Sequence, residues 1–147
     1  MNLYVESSAV LSWLLGEPEG ARVRRLLRNA ELILTSDLTL VECDRVLLRA
    51  LTLKEITEKN ADSRRERLNS AAAVWYVLRV GGDIIERARQ PFPAEPVRTS
   101  GALHVASALN ARAAVPDIAM LSLDKKIRVV SQELGFAVLP KKITIQS

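Results

Sequence analysis

The sequence has very few of the residues that build disulfides, zinc clusters or base-stacking surfaces. It contains one cysteine, Cys43, and one histidine, His104. An internal disulfide, a cysteine zinc cluster and a two-histidine metal site are therefore excluded. Tryptophan, tyrosine and phenylalanine occur only twice each, so a broad stacking platform for single-stranded nucleic acid is not expected.

Long hydrophobic runs are also missing. No apolar stretch approaches the roughly 18 residues that a membrane-spanning helix needs. The opening MNLYVESSAVLSWLLGEPEG has no basic segment before its apolar stretch, and Glu6 interrupts that stretch. This pattern does not match a signal peptide, so we expect a soluble cytoplasmic protein without a membrane partner.

The length and composition are those of an ordinary globular chain. The 147 residues predict a single domain over 1–147. Apolar residues make up 48% of the sequence and charged residues 26%, which excludes disorder and a fibrous rod. The net charge of +4 permits a nucleic acid partner without requiring one.

Short apolar runs alternate with helical patterns along the whole chain. Residues 71–78 (AAAVWYVL) are apolar on every side, so we expect them to form a buried helical segment. We expect Ser7 or Ser8 to cap the first helix, and the spacing of Thr39 and Glu42 matches a capping box. The alternation predicts an α/β fold with a mainly parallel sheet. The predicted strands are 2–5, 31–35, 84–85, 118–122 and 136–139, and the predicted helices are 8–16, 19–28, 39–50, 57–80, 99–112 and 124–134.

Three acidic residues lie where strands end or where the following helix begins. Glu6 follows the first strand, Glu42 lies early in the helix after the second, and Asp124 follows the run IAMLS. Carboxyl ends of parallel strands share one edge of a sheet, so these side chains are expected to meet. Crowded carboxylates favour a hard cation such as Mg²⁺ or Mn²⁺, which can activate water toward a phosphate. Acidic residues also cap helices for purely structural reasons, and spacing alone leaves that alternative open.

Four segments, in order, resemble the PIN domain family, especially VapC-type toxins of toxin–antitoxin pairs. They are NLYVESSAVLSWLLGEPEG, TSDLTLVECDRVLLRA, RTSGALHVASAL and LSLDKKIRVVSQELGFAVL. The resemblance extends from residue 3 to about residue 139. It implies a three-layer PIN-like fold with a central, mainly parallel sheet flanked by helices. It also implies an endoribonuclease that depends on Mg²⁺ or Mn²⁺, cleaves an RNA substrate and is neutralised by a cognate antitoxin protein.

The resemblance assigns roles to individual positions. Glu6, Glu42 and Asp124 match positions of the family's catalytic and metal-binding acids. Ser8 and Ser122 match the hydroxyl positions that usually support the first and fourth acids, where they can orient a ligand or a bound water.

Two positions depart from the family pattern. The first acid is Glu6 where the family normally has aspartate, and the third acidic position is Gly101, which has no side chain. Ser100 is neutral, and Asp44 lies on another face of the helix that carries Glu42. The site is therefore expected to be weakened. The alternative is a catalytically inactive PIN-like module that binds antitoxin or RNA.

The remaining expectations concern surfaces and single residues. Lys125, Lys126 and Arg98 are candidates for contacts to RNA phosphates, although helix-surface charges are often only solvated. His104 follows Gly101 by three residues, and we favour a packing or hydrogen-bonding role for it over contact with substrate or metal. Cys43 is expected to be a buried, inert thiol.

Further alternatives concern assembly and fold class. The apolar run 71–78 raises the possibility of a homodimer or antitoxin contact, although a core role is favoured. The arginines of the second helix are expected to form a solvated face; they are Arg22, Arg24, Arg25 and Arg28. A receiver-like phosphoacceptor domain also places acids at strand ends, but no aspartate ends the middle strand here.

Overall fold

The computed structural model describes residues 1–143, in which a parallel sheet is flanked by helices. All strand pairs are parallel, and the strand order is β3-β2-β1-β4-β5. The α/β class predicted from the sequence is confirmed. The strands are β1 (Asn2–Val5), β2 (Leu32–Ser36), β3 (Tyr76–Leu78), β4 (Ala119–Leu121) and β5 (Val138–Leu139). The helices are α1 (Ser7–Leu14), α2 (Gly20–Asn29), α3 (Asp37–Thr52), α4 (Glu58–Ala72), α5 (Gly82–Ala88), α6 (Thr99–Ala114) and α7 (Lys125–Glu133).

The central strand β1 divides the core into two apolar clusters. Its residues Leu3, Tyr4 and Val5 are fully buried, as expected for a parallel strand covered on both faces. Successive side chains of a strand point to opposite faces. Tyr4 therefore packs with α6 residues such as Val105, whereas Leu3 and Val5 pack with α1 residues such as Val10. Of the described helices, none is long and apolar enough to span a membrane.

Helices α1 and α2 approach each other closely at a glycine. A Cβ atom at Gly20 would lie 2.3 Å from the carbonyl oxygen of Ser12. Any residue other than glycine would therefore clash with the backbone of α1 at this position. Gly16 has a φ of +67°, the left-handed conformation that commonly ends a helix. These two glycines set the angle at which α2 leaves the end of α1.

The prediction of one long helix over 57–80 is wrong. Helix α4 ends at Ala72, and the chain then forms the edge strand β3, paired with β2. The expected burial of 71–78 is also wrong, because Val74 is 80% exposed and Tyr76 is 63% exposed. A short apolar run cannot be assigned to helix or strand by periodicity alone, and this one is rich in strand-favouring residues.

Three smaller predictions also fail. Ile84 and Ile85 lie in α5 rather than in a strand, and only Ile84 is buried. Helix α1 is capped by the carboxylate of Glu6, which accepts the Ser8 amide, rather than by a serine. Helix α3 already begins at Asp37, so the spacing of Thr39 and Glu42 lies inside the helix and forms no capping box.

Candidate active site

A cleft at the carboxyl edge of the sheet brings the three predicted acids together. Its volume is about 480 Å³, and Glu6, Glu42, Asp124 and Gly101 are among its lining residues. Strands β1 and β4 are neighbours, so the residues that follow them emerge side by side. Helices α3 and α6 supply the other two positions. The topology therefore places all four positions in one concave surface.

Glu6 is buried, and hydroxyl and amide donors surround its carboxylate. Oε2 accepts the backbone amide of Ser8 at 2.9 Å. Oε1 accepts the hydroxyls of Ser8 and Ser122, the latter at 2.5 Å. Burial raises the pKa of Glu6, while the positive charge of His104 and these hydrogen bonds act in the opposite direction. The part of the chain that the structure describes makes no ion pair to this carboxylate.

Glu42 is held by three donors from two different helices. Oε1 accepts the hydroxyl of Ser7 at 2.8 Å and lies 2.5 Å from Nε2 of His104. Oε2 accepts the hydroxyl of Ser100 at 2.8 Å. Burial by itself would raise the pKa of Glu42, but the hydrogen bonds and the charge of His104 outweigh it and lower the pKa to about 2. Glu42 is therefore an anion at every pH at which the protein is expected to work.

His104 connects the cleft to the core. Its side chain is fully buried, and Nδ1 lies 3.2 Å from the hydroxyl of Tyr4. The Tyr4 hydroxyl in turn donates to Ser36 at 3.1 Å. Because a carboxylate can only accept, Nε2 must carry a proton where it meets Glu42. These contacts support the hydrogen-bonding role that we favoured for His104 over a role as a ligand.

The serines predicted to support the acids link Glu6 to the loop that carries Asp124. The Ser8 hydroxyl accepts the amide of Leu123 at 2.9 Å, and the Ser122 hydroxyl accepts the amide of Asp124 at 3.0 Å. Oδ1 of Asp124 accepts the first-turn amide of Ile127 at 2.9 Å and caps α7. One carboxylate oxygen of Asp124 is thus used structurally, and its other oxygen forms no hydrogen bond within residues 1–143.

Gly101 leaves space where the family pattern has an acid. A Cβ atom there would lie 3.5 Å from Cγ1 of Val97 and 3.7 Å from Cγ1 of Ile127, which are ordinary contacts. A Cβ atom at this position therefore fits without displacing the backbone. Asp44 does not replace the missing acid, because its carboxylate pairs with Arg65 at 3.4 Å.

The basic residues predicted to contact RNA are distributed over two surfaces. Arg98 and Lys126 line the cleft, and Nζ of Lys126 donates to the carbonyl of Ala94 at 2.8 Å. Lys125 lines a different groove beside α7. The guanidinium of Arg128 donates to the carbonyls of Ser122 and Pro140, so it holds the chain rather than facing the cleft.

Cys43 lies next to Glu42 in sequence but takes no part in the cleft. Its side chain is buried among the apolar residues of the sheet face that α1 covers. Burial and the nearby negative charge of Glu42 raise the pKa of the thiol to about 12. The expected burial of Cys43 is confirmed, and the raised pKa favours the protonated thiol, which is the unreactive form.

The carboxylates leave room for a hydrated divalent ion but do not form a closed metal site. Within residues 1–143, no three Asp, Glu, His or Cys side chains are grouped so that they could hold a metal by themselves. A carboxylate has about four lone-pair positions. Glu6 and Glu42 each use three of them for protein donors, so each has about one left. Mg²⁺ commonly keeps several waters and uses one or two carboxylates together with substrate phosphates. The donor set fits an ion held in that way.

Several contributors to the site were not predicted from the sequence. Ser7 and Ser100 hold Glu42, and Tyr4 and Ser36 extend the hydrogen bonds through His104. From the sequence, Ser7 is considered only as a cap of the first helix, and Ser100 only as a neutral neighbour of Gly101. Tyr4 lies in the middle of an apolar strand and carries no signal for a polar role.

Comparison with known proteins decides the family. The family model for the PIN domain matches residues 3–133. The chain belongs to the PIN domain family. A PIN relative, Ribonuclease VapC46 of Mycobacterium tuberculosis, is 30% identical over 137 residues, which cover 93% of this chain and 95% of that protein. The resemblance stated from the sequence is confirmed.

Solved PIN structures share the fold at lower identity. The M. tuberculosis toxin VapC20, described as cleaving the Sarcin-Ricin loop, has a TM-score of 0.63 at 18% identity, with 92% of this chain and 96% of that chain covered. VapBC2 from Rickettsia felis, solved with a DNA fragment from its promoter, has a TM-score of 0.61 at 10% identity, with 94% and 97% covered. These similarities confirm the predicted PIN-like arrangement of a central sheet flanked by helices.

Proposed function

We propose that this PIN domain is a VapC-type toxin that cleaves RNA with the help of Mg²⁺ or Mn²⁺. One observation carries the proposal: three carboxylates from separate parts of the chain line one cleft together with the cationic side chains of Arg98 and Lys126. Carboxylates that can hold a divalent ion beside cations that attract phosphates are suited to the cleavage of a phosphodiester. The relative named Ribonuclease VapC46 supports RNA as the substrate.

The acidic and hydroxyl side chains that the proposal places at the ion have distinct roles. Glu6, Glu42 and Asp124 would hold a hydrated ion, one or two of them directly and the rest through its waters, and the bound ion would polarise the scissile phosphate and lower the pKa of a water. The hydroxyls of Ser8 and Ser122 keep the Glu6 carboxylate in one orientation.

The charged groups at the mouth of the cleft would position the RNA. Arg98 and Lys126 draw the phosphates into the cleft, and Lys125 continues the positive surface outside it. Burial favours the neutral form of Glu6, and the charge of His104 opposes it. A divalent cation bound in the cleft would further help to keep Glu6 ionised.

Membership of the PIN family supports proposals for the partners and the location of this chain. The complex called VapBC2 supports the proposal that a cognate antitoxin neutralises this chain. We further propose a homodimer, which the exposed apolar side chains of Val74, Tyr76 and Val77 at the sheet edge favour. We place its action in the cytoplasm, where RNA substrates are present.

Cleavage of total cellular RNA by purified protein in Mn²⁺ tests the proposal. We expect cleavage by the wild type, none in excess EDTA, and a loss of at least ~10²-fold in Glu42→Gln, which removes an anionic ligand of the ion. Asp44→Asn is the matched control, because Asp44 lies on the same helix but pairs with Arg65 outside the cleft. Equal cleavage by Glu42→Gln and Asp44→Asn would show that this cleft is not the source of the activity.

A second candidate function is a non-catalytic PIN module that binds antitoxin or RNA. The absence of a side chain at Gly101, in a position with room for one, favours it. Under this alternative the wild type cleaves nothing in Mn²⁺, but it still binds RNA in EDTA. Cleavage by the wild type that is lost in Glu42→Gln would exclude this non-catalytic alternative.

A further inference from the structure

A second pocket lies away from the cleft, between α1, α2 and α4. Its volume is about 310 Å³, and it shares no lining residue with the cleft. Three arginines of α2 and one of α4 line it, beside the indole of Trp13. The arginines are Arg24, Arg25, Arg28 and Arg67.

The charge of this arginine pocket is not balanced by the protein. No acidic residue lines it, and within residues 1–143 none of its four guanidinium groups forms an ion pair. Arg24 and Arg28 lie four positions apart on one helix, a spacing at which like charges destabilise the helix. Arg67 adds a further charge from a helix that is distant in sequence. Four cations held around one cavity are a binding site for an anion with several charges.

Trp13 gives this pocket a flat apolar wall. Its side chain is partly buried against the apolar cluster on that face of the sheet, so the indole is held in place. Gly16 and Gly20 line the pocket without filling it, and at Gly20 the approach of Ser12 forbids a larger residue. The pocket therefore offers both donors for phosphates and a ring on which a base can stack.

We propose that the arginine pocket binds a single-stranded segment of the RNA, with phosphates on the arginines and one base on Trp13. This inference rests on the proposed function for RNA as the substrate. Guanidinium groups match phosphates in geometry, and a stacked base is the usual companion of such contacts in single-strand recognition. An acidic peptide would use the arginines but would leave the indole without a matching group. Arg24, Arg25 and Arg28 are exposed, as expected from the sequence, and the proposal adds a ligand to that solvated face.

The two sites are connected by one short helix. Ser7, Ser8 and Leu11 of α1 line the cleft, and Trp13 of the same helix lines the arginine pocket. The rise from residue 8 to residue 13 is about 7.5 Å along the helix axis. We expect one RNA strand to contact both sites, so that the pocket increases affinity without changing the chemical step.

Binding of a fluorescein-labelled 2′-O-methyl RNA dodecamer, followed by anisotropy in EDTA, tests this inference without requiring cleavage. The double variant Arg25→Gln/Arg28→Gln removes two charges from the pocket. Arg45→Gln/Arg49→Gln, on exposed positions of α3, removes the same charge elsewhere and is the matched control. If two phosphate contacts are lost, the slope of log K against log salt should fall by about 1.4, and affinity near 0.1 M salt should fall roughly 10- to 30-fold. The control pair should change affinity less than ~3-fold, because it makes no phosphate contact in this pocket.

Tryptophan emission provides an independent measurement. In a Trp75→Phe background, Trp13 is the remaining tryptophan, since the chain has two. We expect addition of RNA to quench its emission, and Trp13→Leu to weaken binding by at least ~5-fold through lost stacking. Unchanged emission at saturating RNA would place the strand elsewhere.

Three results would overturn the inference: equal losses in both double variants, no change in salt slope for Arg25→Gln/Arg28→Gln, or tighter binding of a decaglutamate peptide than of the RNA. The cleavage assay is a separate test. RNA binding that depends on the arginines, without any cleavage in Mn²⁺, would support the arginine pocket as an RNA site and refute the proposed nuclease function. Cleavage in Mn²⁺ together with RNA binding that does not depend on these arginines would support the nuclease function and refute the arginine pocket as an RNA site.

Discussion

Glu42→Gln should destabilise the protein at neutral pH even when no metal is present. The wild-type carboxylate accepts hydrogen bonds from Ser7, Ser100 and His104, and its pKa is about 2 instead of 4.5. A pKa lowered that far corresponds to at most ~3 kcal/mol. Glu42 is only half-buried, so solvent screening reduces the expected loss of unfolding free energy to about 1–2 kcal/mol.

The sign of the pH dependence follows from the lowered pKa. The folded state binds this proton more weakly than the unfolded state, so ionised Glu42 contributes its full stability above pH 4.5. That contribution is lost as the pH falls from 4.5 toward 2. The difference between wild type and Glu42→Gln should therefore be largest near pH 7 and should close at acid pH.

Urea denaturation in EDTA, from pH 7 down to pH 2.5, measures this difference directly. Glu31→Gln is the control, because Glu31 is exposed and its carboxylate pairs with the chain's N-terminus at 3.7 Å, so a change below ~0.5 kcal/mol is expected for it. In thermal melts the Glu42→Gln difference corresponds to about 2–8 °C for a chain of this length. A gap that stays constant from pH 7 to pH 2.5, or a variant as stable as wild type at pH 7, would refute the reasoning.

Three further variants test the fold and the core of the site. Gly20→Ala should lower the unfolding free energy by at least ~1–3 kcal/mol, because its Cβ would lie 2.3 Å from the Ser12 carbonyl oxygen; urea midpoints measure this, and a neutral change would contradict it. Tyr4→Phe should cost about 1–3 kcal/mol by leaving buried partners such as His104 with one contact fewer, and an unchanged melting temperature would argue against that network. Tyr76→Ser should change stability by less than ~0.5 kcal/mol in the monomer, because the side chain is 63% exposed; a large loss in dilute melts would mean that the sheet edge is covered.

The sequence predicts the sheet well because its inner strands are short apolar runs with buried positions on both faces. Strand β1 coincides with the predicted 2–5, and β2 and β4 each differ from the prediction by one residue at each end. The prediction fails at the sheet edge, where β3 carries exposed apolar residues such as Tyr76. The run 71–78 has the apolar composition of a buried helix, but at an edge strand apolar composition does not imply burial.

The candidate site is predictable where topology alone determines it. Glu6 and Asp124 meet because they follow neighbouring strands, which a parallel sheet implies without further information. The hydrogen bonds that tune the acids depend on how α3 and α6 pack. Ser100 and His104 reach Glu42 across 58 and 62 residues of sequence, and no local pattern gives that approach.

The most direct single measurement compares Mn²⁺-dependent RNA cleavage by wild type and Gly101→Asp under the same conditions. A Cβ atom fits at this position, and an aspartate there adds a fourth carboxylate to the cleft, so tighter ion binding is expected. We expect slow, EDTA-sensitive cleavage by wild type and cleavage at least ~10-fold faster by Gly101→Asp at limiting Mn²⁺, as an added hard ligand predicts. Cleavage that persists in EDTA, or a Gly101→Asp variant that cleaves no faster than wild type at any Mn²⁺ concentration, would contradict a divalent ion acting from this cleft.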